Sequence, residues 1–310
     1  MSVLLTYEKD MPIPKKVLLV VNPISGDEDK DELMEKVRTL AHQRSFSLCE
    51  YLTDGTHDRA QITQLLEEFV PDRVLIAGGD GTINMIADIV REHSVTIGLL
   101  PAGSANGLAR NLGLPEELDE ALRIALGENI AAMDGMLLNG RLGLHLSDMG
   151  LNARLIKNYE EGKVRGKWGY AKEVIRTLTE HELFQVRIQT DTEEFETEAT
   201  MVLFANATMY GTGVVINPHG DLCDGKFEVI VAKRFDVIEL AKIIAGSKEL
   251  DPDVVRICST TSAVVECLER KGLFQVDGEY VGEVNRVRAQ ILPKMLTVAV
   301  PRVESGVGVL

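Results

Sequence analysis

Val74-Leu75-Ile76-Ala77-Gly78-Gly79-Asp80-Gly81-Thr82-Ile83-Asn84 decides how the rest of the chain is read. The first four residues form a short β-rich run of the kind buried on both faces of a parallel sheet. Two glycines break it, and Ile83, Ile86, Ala87 and Val90 then recur at the spacing of one helical face. A strand that ends in glycines and opens into a helix presents free backbone N–H groups where a phosphate can sit. Asp80 is placed to hold a divalent cation against such a phosphate, because hard cations prefer carboxylate oxygen. Thr82 can cap the helix or donate to a phosphate oxygen. A tight βα turn without a ligand is the plainer alternative. A second glycine turn, Pro101-Ala102-Gly103-Ser104-Ala105-Asn106-Gly107, follows the next strand, Thr96 to Leu100, and favours phosphate.

Working outward, Val17 to Val21 reads as a buried strand running into Asn22-Pro23-Ile24-Ser25-Gly26. Helices follow over Asp31 to Ala41 and from about Asp58, with a strand over Ser47 to Thr53 between them. Another helix is expected over Leu118 to Leu126. Strands alternating with helices imply a parallel sheet whose ligands bind beyond the carboxyl ends of the strands, where all these loops lie. Residues up to Lys16 read as an irregular lead-in.

Past Ala132 the texture changes. Asn139-Gly140 between apolar runs is a hairpin signal. Phe184 to Thr190 and Glu194 to Val202 read as a second hairpin across Asp191-Thr192. Val214 to Asn217, Phe227 to Ala232, Ala263 to Cys267, Leu273 to Val276, Arg286 to Leu292 and Met295 to Val300 add further strands. Helices are expected near Lys167 to Thr179 and Val237 to Ile244. The expected fold is α/β: an N-terminal α/β domain with a parallel sheet, residues 1–132, and a mainly antiparallel β-sandwich-like domain, residues 133–295. A last strand from about 296–310 is free to return to the first domain.

The formal net charge of −15 opposes broad nucleic-acid binding, which needs a basic footprint. Cys49, Cys223, Cys258 and Cys267 show no metal-ligand spacing and read as reduced thiols. No apolar run approaches the length of a membrane span, and the N-terminus lacks a signal-peptide plan, so a cytoplasmic chain is expected.

These motifs, in this order, resemble the diacylglycerol kinase catalytic-domain family, soluble bacterial lipid kinases related to sphingosine kinases. The resemblance rests on Asn22 to Gly26, Gly78 to Asn84, Leu100 to Asn106, Met133-Asp134-Gly135, Asp224-Gly225-Lys226 and Asp277-Gly278-Glu279. It implies ATP as co-substrate and Mg²⁺, with the nucleotide held by Asn22, Thr53, Gly78, Gly79, Asp80, Gly81, Thr82, Ile83, Asn84 and Ser104. It implies Glu279 as general base toward a lipid hydroxyl, with Asp80 as competitor, because related sphingosine kinases give that acid the role. Asp134 resembles an acid that supports the catalytic Mg²⁺ through water. Asp221, Asp224 and Lys226 resemble a second Mg²⁺ loop, Asp224 ligating by carboxylate and the others by backbone carbonyl. Thr53 read alone is a strand-end residue, Asn22 and Ser25 are turn residues, and Asp277-Gly278 is a hairpin turn.

Where bacterial diacylglycerol kinases read Gly-Thr-x-Asn-Asp, this chain has Gly103-Ser104-Ala105-Asn106-Gly107, a loop closer to sphingosine kinases. A lipid acceptor at the membrane surface implies peripheral, transient membrane contact. Lys157, Lys163, Arg165, Lys167, Lys172 and Arg176 around Trp168 and Tyr170 are the stretch suited to it. A homodimer is compatible with the resemblance. The alternatives are an NAD-kinase-like small-molecule kinase and a non-catalytic nucleotide-binding regulatory protein.

Overall fold

The computed structural model describes residues 14–26, 29–150, 183–210, 214–233, 251 and 253–302. The basic and aromatic stretch around Trp168, both helices expected in the second half, and most of the N-terminal lead-in lie outside them. The chain divides into two compact units, Met1–Ala132 with Leu296–Leu310, and Met133–Met295.

The first unit runs β1 (Lys16–Val21), α1 (Lys30–Arg44), β2 (Ser47–Leu52), α2 (Asp58–Phe69), β3 (Arg73–Gly78), α3 (Asp80–Val90), β4 (Thr96–Pro101), α4 (Gly107–Asn111) and α5 (Leu118–Ala125). Its strands pair in parallel in the order β2-β1-β3-β4. Val17, Leu19, Val21, Leu75 and Ala77 pack against Leu33, Met34 and Val37 of α1 and Ala121, Leu122 and Ala125 of α5. The alternate residues Leu18, Val20, Val74 and Ile76 are also fully buried. That is why these strands read as unbroken apolar runs. Local chemistry sets the helix ends: Asp29 caps α1 through the N–H groups of Asp31 and Glu32, and Glu117 caps α5 through Asp119 and Glu120.

The second unit contains β5 (Ile130–Leu138, its first residues in unit one), β6 (Arg141–Gly143), β7 (Leu146–Gly150), β8 (Phe184–Thr190), β9 (Glu194–Ala199), β10 (Met201–Ala205), β11 (Met209–Tyr210), β12 (Val214–Val215), β13 (Phe227–Ala232), β14 (Val255–Thr260), β15 (Ser262–Cys267), β16 (Gly272–Val276), β17 (Glu279–Val284) and β18 (Arg286–Ala299). One sheet follows the order β14-β13-β10-β7-β16-β17. A second layer has β18, β15, β8 and β9 side by side, with β5 on β18. Phe204, Phe227 and Phe274 of the first layer and Val186, Ile188, Val265 and Val287 of the second share one core. It is a β-sandwich.

Three expectations change. The strand expected over Glu194 to Val202 is two, β9 and β10, which part at Thr200 and join different layers. Arg286 to Val300, expected as two strands around Pro293, is mostly one strand, because the proline sits beside Lys294 at φ +52, an irregularity where no ladder N–H is required. The end of β18 lies in unit one, where Thr297 and Val298 pair with Thr96 and Ile97 of β4. Thr82 does not cap α3: Gly79 occupies that position, and the Thr82 hydroxyl accepts from Asn22 Nδ2 at 2.8 Å. Among the described residues no helix is long and apolar enough to cross a membrane.

Arg73 closes the base of the first unit. It is buried, and its guanidinium donates to the carbonyls of Ala125, the last residue of α5, and Gly127, just beyond it, at 3.1 and 3.0 Å. Burial pushes its pKa down, and these carbonyls would otherwise be orphaned. Arg73→Ala is expected to cost about 2 kcal/mol, the penalty of leaving buried acceptors unpaired, read as a lower urea midpoint at unchanged m-value.

Candidate active site

Three loops meet at the carboxyl ends of β1, β3 and β4. The register pairs Ala77 with Leu100 and Gly78 with Pro101, which sets the second and third loops side by side. The approach leaves no room for side chains. A Cβ on Gly103 would lie 2.3 Å from Gly79 Cα, and one on Gly26, at φ +59, would lie 2.6 Å from the Ala102 carbonyl oxygen. Glycine here answers to both close approach and backbone conformation.

Side chains then lock the loops. Asn22 receives the Ile24 N–H on Oδ1 at 3.1 Å and donates through Nδ2 to Thr82. The Ser25 hydroxyl and the buried Lys30 ammonium both donate to the Ala102 carbonyl, at 3.1 and 3.0 Å. Asn106, at φ +52, accepts the Gly103 N–H and donates to the Gly103 carbonyl, each at 2.9 Å. Asp80, half-buried at the start of α3, accepts the N–H of Gly107 on Oδ2 at 2.9 Å and of Leu108 on Oδ1 at 3.0 Å. Its carboxylate therefore caps α4, and Gly107 meets Asp80 through its backbone.

Of the other residues expected here, Thr53 is half-buried at the end of β2 and its N–H donates to the Val21 carbonyl at 2.9 Å. Ser104 is exposed on the third loop, Gly81 is exposed and Asn84 half-buried on α3. Ile83 stands apart: its side chain is buried and its N–H donates to the Gly79 carbonyl. It belongs to the core. Lys30 and Asn106 were not singled out as site residues from sequence; only the Gly-x-x-Asn spacing offered a signal, and only for Asn106.

In the second unit Asp134 is fully buried on β5. Its oxygens accept the N–H groups of Lys294 and Gly225, both at 2.6 Å, and its own N–H donates to the Leu222 carbonyl at 2.7 Å. It thereby ties the 221–225 loop to the irregularity in β18. In that loop Asp221 accepts the Cys223 N–H and Asp224 the Lys226 N–H, each at 2.9 Å, with both acids exposed. Partial burial, and after it the carboxylates of Asp221, Asp134 and Asp224, push the Cys223 thiol up. Among the described residues no three His, Cys, Asp or Glu side chains converge as a ready-made metal cage.

Asp277 and Gly278, at φ +47 and +89, are the two-residue turn between β16 and β17. The Asp277 carboxylate accepts the N–H groups of Leu144, His145 and Leu146, at 2.6, 3.0 and 3.1 Å. Glu279 follows as the exposed first residue of β17. Buried Asn206, which sequence reasoning missed, donates to the carbonyls of both Asp134 and Leu144, at 3.1 and 3.0 Å. The unit thus brings Asp134 and the Glu279 turn into one hydrogen-bonded group.

Residues 16–138 match the family model of the diacylglycerol kinase catalytic domain, and residues 147–300 match that of the YegS C-terminal NAD kinase β-sandwich-like domain. The diacylglycerol kinase of Staphylococcus saprophyticus subsp. saprophyticus is 24% identical over 280 residues, covering 87% of this chain and 90% of its own length. That of Bacillus subtilis (strain 168) is 25% identical over 279 residues, covering 86% and 91%. A solved diacylglycerol kinase structure from Bacillus anthracis str. Sterne matches with a TM-score of 0.72 over 93% of this chain and 97% of that one, at 21% identity, a likeness of fold.

Gly103→Ala tests the loop packing. Overpacking at a backbone contact is expected to cost about 1–3 kcal/mol and to broaden the amide resonances of Gly79 and Asn106. Gly113→Ala, at φ +67 with nothing within 4 Å, carries only backbone strain and leaves those resonances in place.

Proposed function

Because the chain belongs to the diacylglycerol kinase family, its first half matching the catalytic-domain model and its second half the YegS C-terminal β-sandwich-like model, we propose that it is an ATP- and Mg²⁺-dependent lipid kinase. In this reading the first unit holds the nucleotide and the second the lipid. The observation that carries it is the three-loop cradle, whose backbone approach at Gly26, Gly79 and Gly103 suits phosphates better than bulkier groups. Thr53 and Ser104 supply hydroxyls at its rim, and Lys30 supplies the nearby positive charge.

Phosphoryl transfer asks chiefly for positioning and charge stabilisation. The lipid hydroxyl oxygen attacks the γ-phosphorus while the bond to the β–γ bridging oxygen breaks and ADP leaves with that oxygen. The hydroxyl proton passes to the Glu279 carboxylate. Glu279 suits this role because it is exposed and its carboxylate, among the described residues, makes no hydrogen bond or ion pair. Each Asp80 oxygen is already engaged by a backbone N–H.

Bound Mg²⁺ would neutralise developing charge on the phosphate oxygens. The donors present are oxygens throughout, which fits a hard cation. Asp80 keeps a lone pair on each oxygen for it. Asp134, fully buried with both oxygens bonded, fits only a water-mediated contact. The Asp224 carboxylate with the carbonyls of Asp221 and Lys226 would hold a second ion.

The test is transfer of label from γ-labelled ATP to diacylglycerol, sphingosine, ceramide, phosphatidylglycerol and undecaprenol, with NAD as the soluble control. Label is expected in one lipid class. Glu279→Gln is expected to lower kcat by about 10²–10⁴-fold with ATP binding retained, and Asp80→Asn to weaken both. Label in NAD alone would overturn the lipid reading, and unchanged turnover of Glu279→Gln would remove it as the base.

A further inference from the structure

Glu279, exposed and with a carboxylate that has no partner among the described residues, is aimed among them by its backbone. The backbone before Glu279 is the Asp277-Gly278 turn, and glycine makes that the most pliable point of the hairpin. What restrains it comes from β7. The antiparallel register of β16 on β7 sets Gln275 opposite Asp148, and both side chains are fully buried. Gln275 Nε2 donates to Asp148 Oδ1 at 2.5 Å, and Gln275 Oε1 accepts the Gly278 N–H at 2.7 Å. One amide thus ties the turn to the middle of β7, while the Asp277 carboxylate ties it to the residues leading into β7. On the other side of Gln275, the β16–β17 register shifts between Phe274 and Gln275, so the first rungs of β17 form separately from the rest of the ladder.

A buried amide–carboxylate pair is a costly choice for this sheet face. Asp148 also pairs across β10 with the buried Leu203, where an apolar residue would pack without desolvating a charge. What the pair provides is one fixed arrangement, since a satisfied buried polar network tolerates no slippage. We propose that Gln275 is a positioning residue which, through its bridge from Asp148 to the Gly278 N–H, holds Glu279 in the orientation for proton transfer. This rests on the assignment of Glu279 as base.

The test uses the full chain and labelled ATP with diacylglycerol in detergent micelles, or with whichever lipid the acceptor panel labels. Gln275→Met removes both hydrogen bonds at similar volume. It is expected to lower kcat by about 10²-fold, the scale of a misplacement near 1 Å, with KM for ATP unchanged. In a Glu279→Gln background it should lower kcat no further, because a base already removed cannot be misplaced. Gln275→Glu sets two carboxylates together, so its kcat relative to wild type should rise as pH falls and the pair shares a proton.

Gln275→Glu combined with Asp148→Asn exchanges the amide and the carboxylate across the bridge. This double variant should recover most of the loss of Gln275→Glu alone, and it keeps the test decisive if Gln275→Met does not fold. A folded Gln275→Met with wild-type kcat, or further loss in the Glu279→Gln background, would overturn the proposal while leaving the base in place. Full activity of Glu279→Gln would remove the base itself, and the proposal with it.

Discussion

The contact on which the first unit's loops depend is backbone against backbone, Gly79 beside Gly103. It follows from the sheet: parallel pairing of β3 with β4 ends at Gly78 opposite Pro101, so both strands turn at the same level. A side chain at Gly103 would force them apart, and Asn22, Ser25, Lys30 and Asp80 each bridge elements whose spacing that contact sets. The polar network is a consequence of the close approach. It could not create it, because hydrogen bonds of this kind contribute about 1 kcal/mol each, while a Cβ on Gly103 would stand only 2.3 Å from Gly79 Cα and the loops would have to part to admit it.

The same economy appears in the use of acids. The chain carries a formal charge of −15, yet several of its carboxylates point inward as acceptors for backbone N–H groups. Asp80 caps α4, Asp134 gathers the 221–225 loop and Lys294, and Asp277 gathers the residues leading into β7. Asp58 accepts the N–H groups of Asp54 and Gly55, and Asp191 takes those of Thr261 and Ser262 with their hydroxyls. For Asp191 the hydroxyls of Ser262 and Thr261 hold the carboxyl well below the usual range. A carboxylate accepts on two oxygens without needing a donor hydrogen, so it satisfies irregular backbone that no strand ladder reaches.

This explains which parts of the molecule could be read in advance. Glycine loops after apolar runs, helical spacing in the first unit and the Asn139-Gly140 turn are local signals, and among the described residues each led to an element of the expected type. Strand joins are not local. Glu194 to Val202 has no breaker at Thr200, and only the assignment of its halves to different layers divides it. Pro293 reads as a stop, yet the chain continues because the ladder is already irregular there. Lys30 and Asn206 were invisible for a further reason: each bonds a residue 72 positions away, and no motif marks that distance.

The acids flagged from sequence therefore divide by what their oxygens already do. Asp80, Asp134 and Asp277 stand in glycine motifs, and every one has both oxygens bonded to backbone N–H groups. Glu279 looks the most ordinary, a glutamate after a hairpin turn, and alone among the four has a carboxylate with no hydrogen bond or ion pair among the described residues. A group that must accept a proton needs an accessible lone pair and a fixed direction. Glu279 has the first by exposure, and among the described residues the second comes from the turn beneath it, because its carboxylate has no hydrogen bond or ion pair there. The buried polar bonds under that turn are thus the part of the second unit where packing and the proposed chemistry make the same demand.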